Sequence, residues 1–138
     1  MKTILFSMIA IITLLGSIVT LVAAENTANI LSSGAFVKKE KSIKGDWEVR
    51  EENGRLILSF SDNFKARSGP DLKVFLSPTS IDTVSGDTAT QGAVLLGELK
   101  KQRGKQEYLL PEGLELKDFQ SVLVHCKQYS VLWGGGKL

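Results

Sequence analysis

Short runs in which apolar and polar residues alternate dominate the chain from residue 46 onward. Residues 46–50 alternate around Trp47 and Val49, and in residues 55–60 the apolar side chains of Leu56, Leu58 and Phe60 share one face. A period of two is typical of strands that bury one face. Asn53-Gly54 lies between these runs, and Asn-Gly favours the positive-φ turn of a hairpin. The pattern therefore predicts a β-hairpin in this region.

Further strands are predicted at 72–76, 94–99, 106–110 and 121–126, and alternation resumes after Lys127-Gln128 until three glycines end it at 134–136. The apolar positions change from even to odd near Lys127, which predicts a tight turn or a bulge there. Residues 79–92 are the longest predicted loop. About seven to eight short strands without a helical period predict an all-β fold, a single antiparallel β-sandwich or barrel-like domain.

The N-terminus has a different pattern. A basic start at Lys2 is followed by an apolar stretch at 4–22 and by the small residues Ala23-Ala24. These features predict a signal peptide over 1–24, with an uncleaved membrane anchor as the alternative. Residues 25–33 are expected to be a flexible lead-in and 34–138 the β-domain. The chain is therefore expected to be exported to the periplasm or outside the cell, with membrane contact only if 4–22 remain as an anchor.

Charge and composition exclude several classes of protein. The 17 basic residues nearly balance the 15 acidic ones, so neither nucleic acid nor a strongly acidic partner is indicated. Zinc and iron–sulfur sites need several cysteines or histidines, whereas the chain has one of each, so no metal site is expected.

Cys126 is the main candidate for chemistry. A single cysteine in an exported chain indicates a redox or ligand role, an intermolecular disulfide, or a packed apolar residue. Cys126 shares a predicted strand face with Val122 and Val124, whereas His125 lies on the other face. A catalytic Cys126–His125 pair therefore needs a bulge or a strand end at this position.

Four segments resemble the DM13 domain family. Residues 69–77 read GPDLKVFLS, residues 96–100 read LGELK, and residues 104–111 read GKQEYLLP, as in motifs of that family. The closing segment from Phe119 through Cys126 to the C-terminus follows its last pattern. The segments occur in order from about Gly34 onward, so the chain resembles a stand-alone exported form of this domain.

The resemblance implies a β-sandwich-like domain for electron transfer outside the cytoplasm. In that family the cysteine matched by Cys126 is proposed to act as a bare thiol or to bind a group such as haem. No C-x-x-C-H motif occurs, so any haem would be non-covalent, with Cys126 or His125 as an axial ligand. His125 and Trp133 depart from the family pattern, which commonly has tryptophan and phenylalanine there.

Two functions follow as hypotheses. The first is a redox or electron-transfer accessory domain that works through Cys126 with an unidentified electron-transfer or cell-envelope protein. The alternative is a cell-envelope binding or adhesion module in which Cys126 only packs. An enzyme acting through the thiol is a weaker third interpretation.

Overall fold

The computed structural model describes residues 20–21 and 28–138. Apart from positions 20 and 21, the predicted signal peptide or anchor lies outside the described residues, and so do residues 25–27 of the predicted lead-in. Within the described part of the chain, no helix is long and apolar enough to cross a membrane.

Antiparallel β-sheets make up the described fold. One sheet has four strands in the order β1 (Asn29–Ala35), β4 (Asp46–Glu52), β5 (Arg55–Phe60) and β9 (Gln106–Leu109). The second has five strands in the order β2 (Val37–Lys38), β11 (Val131–Lys137), β10 (Ser121–Cys126), β7 (Leu72–Ser77) and β8 (Val94–Glu98). A two-stranded sheet pairs β3 (Ile43–Lys44) with β6 (Lys65–Ala66), and a short 3-10 helix spans Leu116–Asp118.

The predicted all-β antiparallel sandwich is confirmed, but its strand number is wrong: the described residues form eleven strands instead of seven or eight. Three of the additional strands, β2, β3 and β6, have only two residues each. Two residues contain no period, so sequence alternation cannot reveal them.

The predicted flexible lead-in is also corrected, because residues 29–33 belong to β1. This strand pairs with β4 from Asn29 opposite Glu51 to Ala35 opposite Asp46. Small and polar residues such as Ser32 and Ser33 gave no alternation, and β1 is specified by backbone pairing to its neighbour instead of by its own apolar face.

The Asn53-Gly54 hairpin forms as predicted. β4 and β5 pair in register from Trp47 opposite Phe60 to Glu52 opposite Arg55. Asn53 has a φ of 51° and Gly54 a φ of 74°. Positive φ at both central residues is the backbone of a type I′ turn, whose twist matches the flanking strands.

The predicted turn near Lys127 is present, but β11 continues through the three glycines that were expected to end it. The pairing of β10 with β11 also shifts by one residue between Val124 and His125. The glycines are needed because other atoms approach them closely: a Cβ on Gly136 would lie 2.0 Å from Nε1 of Trp47, and one on Gly135 would lie 2.3 Å from the carbonyl oxygen of Val122.

Apolar residues fill two layers. The main core lies between the four-stranded and five-stranded sheets and includes Trp47, Phe60, Val124 and Cys126. A second cluster covers the outer face of the five-stranded sheet, where the loop 78–93 packs Ile81, Val84 and Ala89 against Phe75, Leu123 and Leu132. The five-stranded sheet is therefore buried on both faces over β7, β10 and β11.

Candidate functional site

Cys126 lies in the main core and is 0% exposed. It is the last residue of β10, opposite Leu72 of β7 and Val131 of β11. The predicted face is confirmed, since Val122 and Val124 lie in the same core cluster. The sulfur is therefore shielded from solvent, and it lies at the end of a strand instead of at its centre.

The side chains that close this end come from the segment 67–72 and from β11. Leu72 is 7% exposed and faces Cys126 across the strand pair, and directly opposite side chains have Cβ atoms about 4.5–5.5 Å apart. Trp133 donates a hydrogen bond from Nε1 to the carbonyl oxygen of Arg67 at 2.8 Å. A Cβ on Gly69 would lie 2.7 Å from the Trp133 ring and 3.3 Å from Leu72. Glycine at position 69 therefore lets the loop lie flat on both side chains.

A small groove opens immediately outside Leu72. Its volume is about 140 Å³, and its lining includes Gly69, Asp71, Leu72, Glu98 and Gln102. Leu72 both lines the groove and is the cross-strand neighbour of Cys126. We call this the Leu72 groove.

Lys73 carries the charge next to the Leu72 groove. Its Nζ lies 3.0 Å from Asp71 Oδ1 and 3.4 Å from Glu98 Oε1. The hydrogen bond to Asp71 is the main cause that raises the pKa of Lys73, and desolvation opposes it. Since both acids line the groove, these ion pairs neutralise part of its negative charge.

His125 belongs to the other layer. It is 1% exposed, and its ring lies edge-on to Phe75 with the centroids 6.0 Å apart. Its Nε2 lies 2.8 Å from the carbonyl oxygen of Gly86. A carbonyl oxygen only accepts, so Nε2 carries the hydrogen of this bond, and Nδ1 has no partner among the described residues.

His125 therefore fixes the loop 78–93 and does not activate the thiol. It lies opposite Lys73 on β7, on the sheet face away from the core that contains Cys126. The irregularity between Val124 and His125 lies in the pairing with β11 and leaves the register between β10 and β7 continuous. The strand end does not bring the two side chains onto one face.

Haem ligation does not fit these residues. Cys126 is enclosed by core side chains, and the Nε2 of His125 is engaged by Gly86. Neither residue lines any of four surface cavities of the described region that measure about 140 to 340 Å³. The two side chains also face opposite sides of the sheet, so they cannot bind one iron. We derive no step through haem.

The segments 96–100 and 104–111 interlock through a buried tyrosine. The amide of Lys100 donates to the Tyr108 hydroxyl at 3.0 Å, and that hydroxyl donates to Gln106 Oε1 at 2.7 Å. Gln106 Nε2 donates to the carbonyl of Lys101 at 2.9 Å. Desolvation of the phenol raises the pKa of Tyr108 to about 12. These contacts fix the turn between β8 and β9, so this pair of motifs has a structural role.

Sequence reasoning identified Cys126 but missed the residues that cover it. Gly69 and Leu72 belong to a motif that the sequence reveals, but their contacts with Trp133 and Cys126 could not be read from it. Arg67 gave no signal, because it contributes a backbone carbonyl that any residue has. The contact between Gly69 and Trp133 joins residues far apart in sequence, and only the fold reveals it.

The fold and site together define a class: an antiparallel β-sandwich with a single shielded thiol at the end of a central strand. A family model described as "Electron transfer DM13" matches residues 35–138. The chain belongs to this family, as the four segments predicted, and membership supports a role in electron transfer. Searches of curated proteins and of solved structures gave no match.

Proposed function

We propose that this protein is an extracytoplasmic electron-transfer domain and that the Cys126 thiol is its redox group. The observation that carries the proposal is the position of Cys126. It is the last residue of β10, and its cross-strand neighbour Leu72 lines the Leu72 groove. Family membership supports the electron-transfer role. The apolar stretch 4–22 followed by Ala23-Ala24 supports the setting outside the cytoplasm.

A single cysteine restricts the chemistry. With one cysteine in the sequence, no disulfide can form within the chain. The couple that one sulfur supports is thiol and sulfenic acid. A peroxide supplies the oxygen: the sulfur attacks it, an S–O bond forms as the O–O bond breaks, and the sulfur gives up two electrons. The released hydroxide or alkoxide takes up the proton lost by the thiol and leaves as water or an alcohol, respectively.

A dithiol donor completes the cycle. One donor thiol attacks the sulfenic sulfur and releases water, which leaves a mixed disulfide with Cys126. The second donor thiol then attacks the donor's own sulfur in that disulfide, so that Cys126 leaves as the thiol and the donor leaves as a disulfide. Two electrons thereby pass from the dithiol to the peroxide.

Access to the sulfur requires local opening. Buried cysteines are inert, and thiolate character and exposure together control oxidation. Strand ends open at lower free energy than the centre of a sheet. Outward movement of Leu72 into the groove beside it would expose Cys126 without unfolding β10, and closure would protect the sulfenic acid from further oxidation.

Peroxide treatment followed by intact-mass analysis tests the proposal. We expect the folded full chain to gain one oxygen at Cys126, to react with a sulfenic acid trap, and to recover its original mass after treatment with a dithiol. A Cys126→Ala variant is the control and should gain no trap adduct. A folded protein in which Cys126 stays unmodified until the chain is globally unfolded would refute the redox role.

The second candidate function is a cell-envelope binding module, and the 0% exposure of Cys126 is the observation that favours it. In that case Cys126 contributes only apolar packing beside Val122 and Val124. Peroxide would then modify the thiol only as fast as the whole domain unfolds.

A further inference from the structure

The edges of the sheets differ in how they are protected. Exposed edge strands present unpaired backbone groups, and natural proteins protect them with charged side chains, proline or bulges. All edge strands of the described region except β1 contain a charged residue: Glu107 in β9, Lys38 in β2, Glu98 in β8, Lys44 in β3 and Lys65 in β6. The seven residues of β1 contain no charge and no proline, and the irregularity between Ile30 and Ser32 is the one protective feature of this strand.

β1 is also long, uncharged and accessible. Among the described residues it pairs with β4 alone. Ile30 is 57% exposed and Leu31 is 43% exposed. Its single irregularity lies between Ile30 and Ser32, so residues 32–35 keep a regular register with β4. A regular, uncharged edge is a template for another strand.

A cavity with both apolar and polar walls adjoins this edge. It measures about 340 Å³ and is lined by Leu31, Ser32, Leu116, Lys117, Phe119 and Leu138. Leu31 therefore belongs both to the open edge and to the cavity wall. A strand added to β1 would place its own side chains beside this cavity.

We propose that β1 is the contact surface for a second copy of this chain, through antiparallel pairing of the two β1 strands about a two-fold axis. In a two-fold contact the same patch meets itself, so a charge near the axis meets its own copy. Self-pairing through β9 would bring together two copies of Glu107, and through β8 two copies of Glu98. Like charges opposite each other destabilise strand pairs, whereas β1 offers none.

The contact is expected to be modest in size. One seven-residue strand and the adjoining cavity cannot bury the area of an obligate dimer. We therefore expect reversible dimerisation with a dissociation constant on the order of 1–100 μM.

Sedimentation velocity with two matched leucine variants tests this surface. Leu31→Lys places a charge on β1, and Leu109→Lys places the same charge on a leucine that is 52% exposed on β9, the other edge of the same sheet. The protein is used as recovered from the producing cells, with its N-terminus read by mass spectrometry. We expect the wild type and Leu109→Lys to dimerise alike and Leu31→Lys to weaken association at least tenfold.

Ser33→Lys provides a second variant on the same edge. Ser33 is exposed and does not line the cavity at Leu31, so this change leaves the cavity lining unaltered. It should weaken the dimer as Leu31→Lys does, with unchanged far-ultraviolet circular dichroism. A wild type that stays monomeric at about 100 μM, or a Leu109→Lys variant that dissociates as fully as Leu31→Lys, would overturn the proposal.

Discussion

Two adjacent residues, His125 and Cys126, are both buried and yet belong to different layers of the molecule. Strand alternation separates them, so neither changes the chemistry of the other directly. Cys126 contacts an apolar core at a strand end, and His125 anchors a loop through the carbonyl of Gly86. At the scale of single residues, the site therefore consists of the Cys126 thiol and the side chains that shield it from solvent.

Replacing the thiol tests how apolar its surroundings are. Cys126→Ser puts a hydroxyl in a fully buried position without a known acceptor, and we expect a loss of about 1–3 kcal/mol in the free energy of unfolding. Cys126→Ala leaves only a small void and should lose less. Urea denaturation measures both, and a serine variant as stable as the wild type would show that the site is hydrated.

Tyr108 predicts a pH dependence of stability. Its pKa is raised from 10.0 to about 12 because burial favours the neutral phenol. Between these values the unfolded chain loses the phenol proton while the folded chain keeps it, so stability falls as pH rises, by up to about 1.4 kcal/mol per pH unit. Below pH 10 the folded and unfolded phenols are both neutral and the contribution is constant.

Two variants isolate this effect. In Tyr129→Phe, Tyr108 is the one tyrosine left, so tyrosinate absorbance reports its titration alone. Tyr108→Phe should remove this part of the alkaline loss of stability, as judged by urea denaturation across the same pH range. A Tyr108 phenol that titrates at its ordinary value in the folded protein would contradict the buried hydrogen-bonded arrangement.

At the scale of elements, the sequence predicted the strands that have an apolar face. The hairpin of β4 and β5 and the strand β10 are predictable because apolar residues at alternate positions of each strand share one face. β1 was missed because Ser32, Ser33 and Gly34 give no such signal. Glycine usually weakens a strand, so three glycines at 134–136 predict its end, whereas here the close approach of Trp47 requires glycine at position 136 within β11.

Glycine-to-alanine variants test that close approach. A Cβ at position 136 would lie 2.0 Å from Nε1 of Trp47, and a Cβ at position 34 would lie 3.1 Å from the ring of the same side chain. We expect Gly136→Ala to destabilise the domain by about 1–3 kcal/mol or more, and Gly34→Ala by less. Thermal denaturation shows which of the two variants loses more stability. An unchanged melting temperature for Gly136→Ala would contradict the packing of Trp47 against β11.

At the scale of the whole molecule, the sandwich buries one sheet on both faces. The alternation of side chains along β10 places Cys126 on one face with Val122 and Val124. It does not show whether the opposite face of the strand is also covered. That depended on the loop 78–93, whose apolar residues Ile81, Val84 and Ala89 follow no regular period. The candidate residue was therefore predictable, and its burial and cover depended on contacts distant in sequence.

The central claim is that Cys126 reacts by opening of its cover and not by unfolding of the domain. Leu72 and Leu76 both lie on β7 and both face the main core, but Leu72 opposes Cys126 while Leu76 opposes Val122. Alanine at either position is expected to destabilise the domain by about 2–5 kcal/mol. A comparison of the Leu72→Ala and Leu76→Ala variants therefore distinguishes the loss of the local cover from the loss of global stability.

The decisive measurement is the rate of Cys126 labelling by a small thiol reagent in the folded wild type, Leu72→Ala and Leu76→Ala, each compared with its own free energy of unfolding. We predict that Leu72→Ala is labelled at least tenfold faster than Leu76→Ala at equal stability, because its cover is missing. If labelling in all three proteins simply follows the free energy of unfolding, Cys126 is a packed core residue and the account is contradicted.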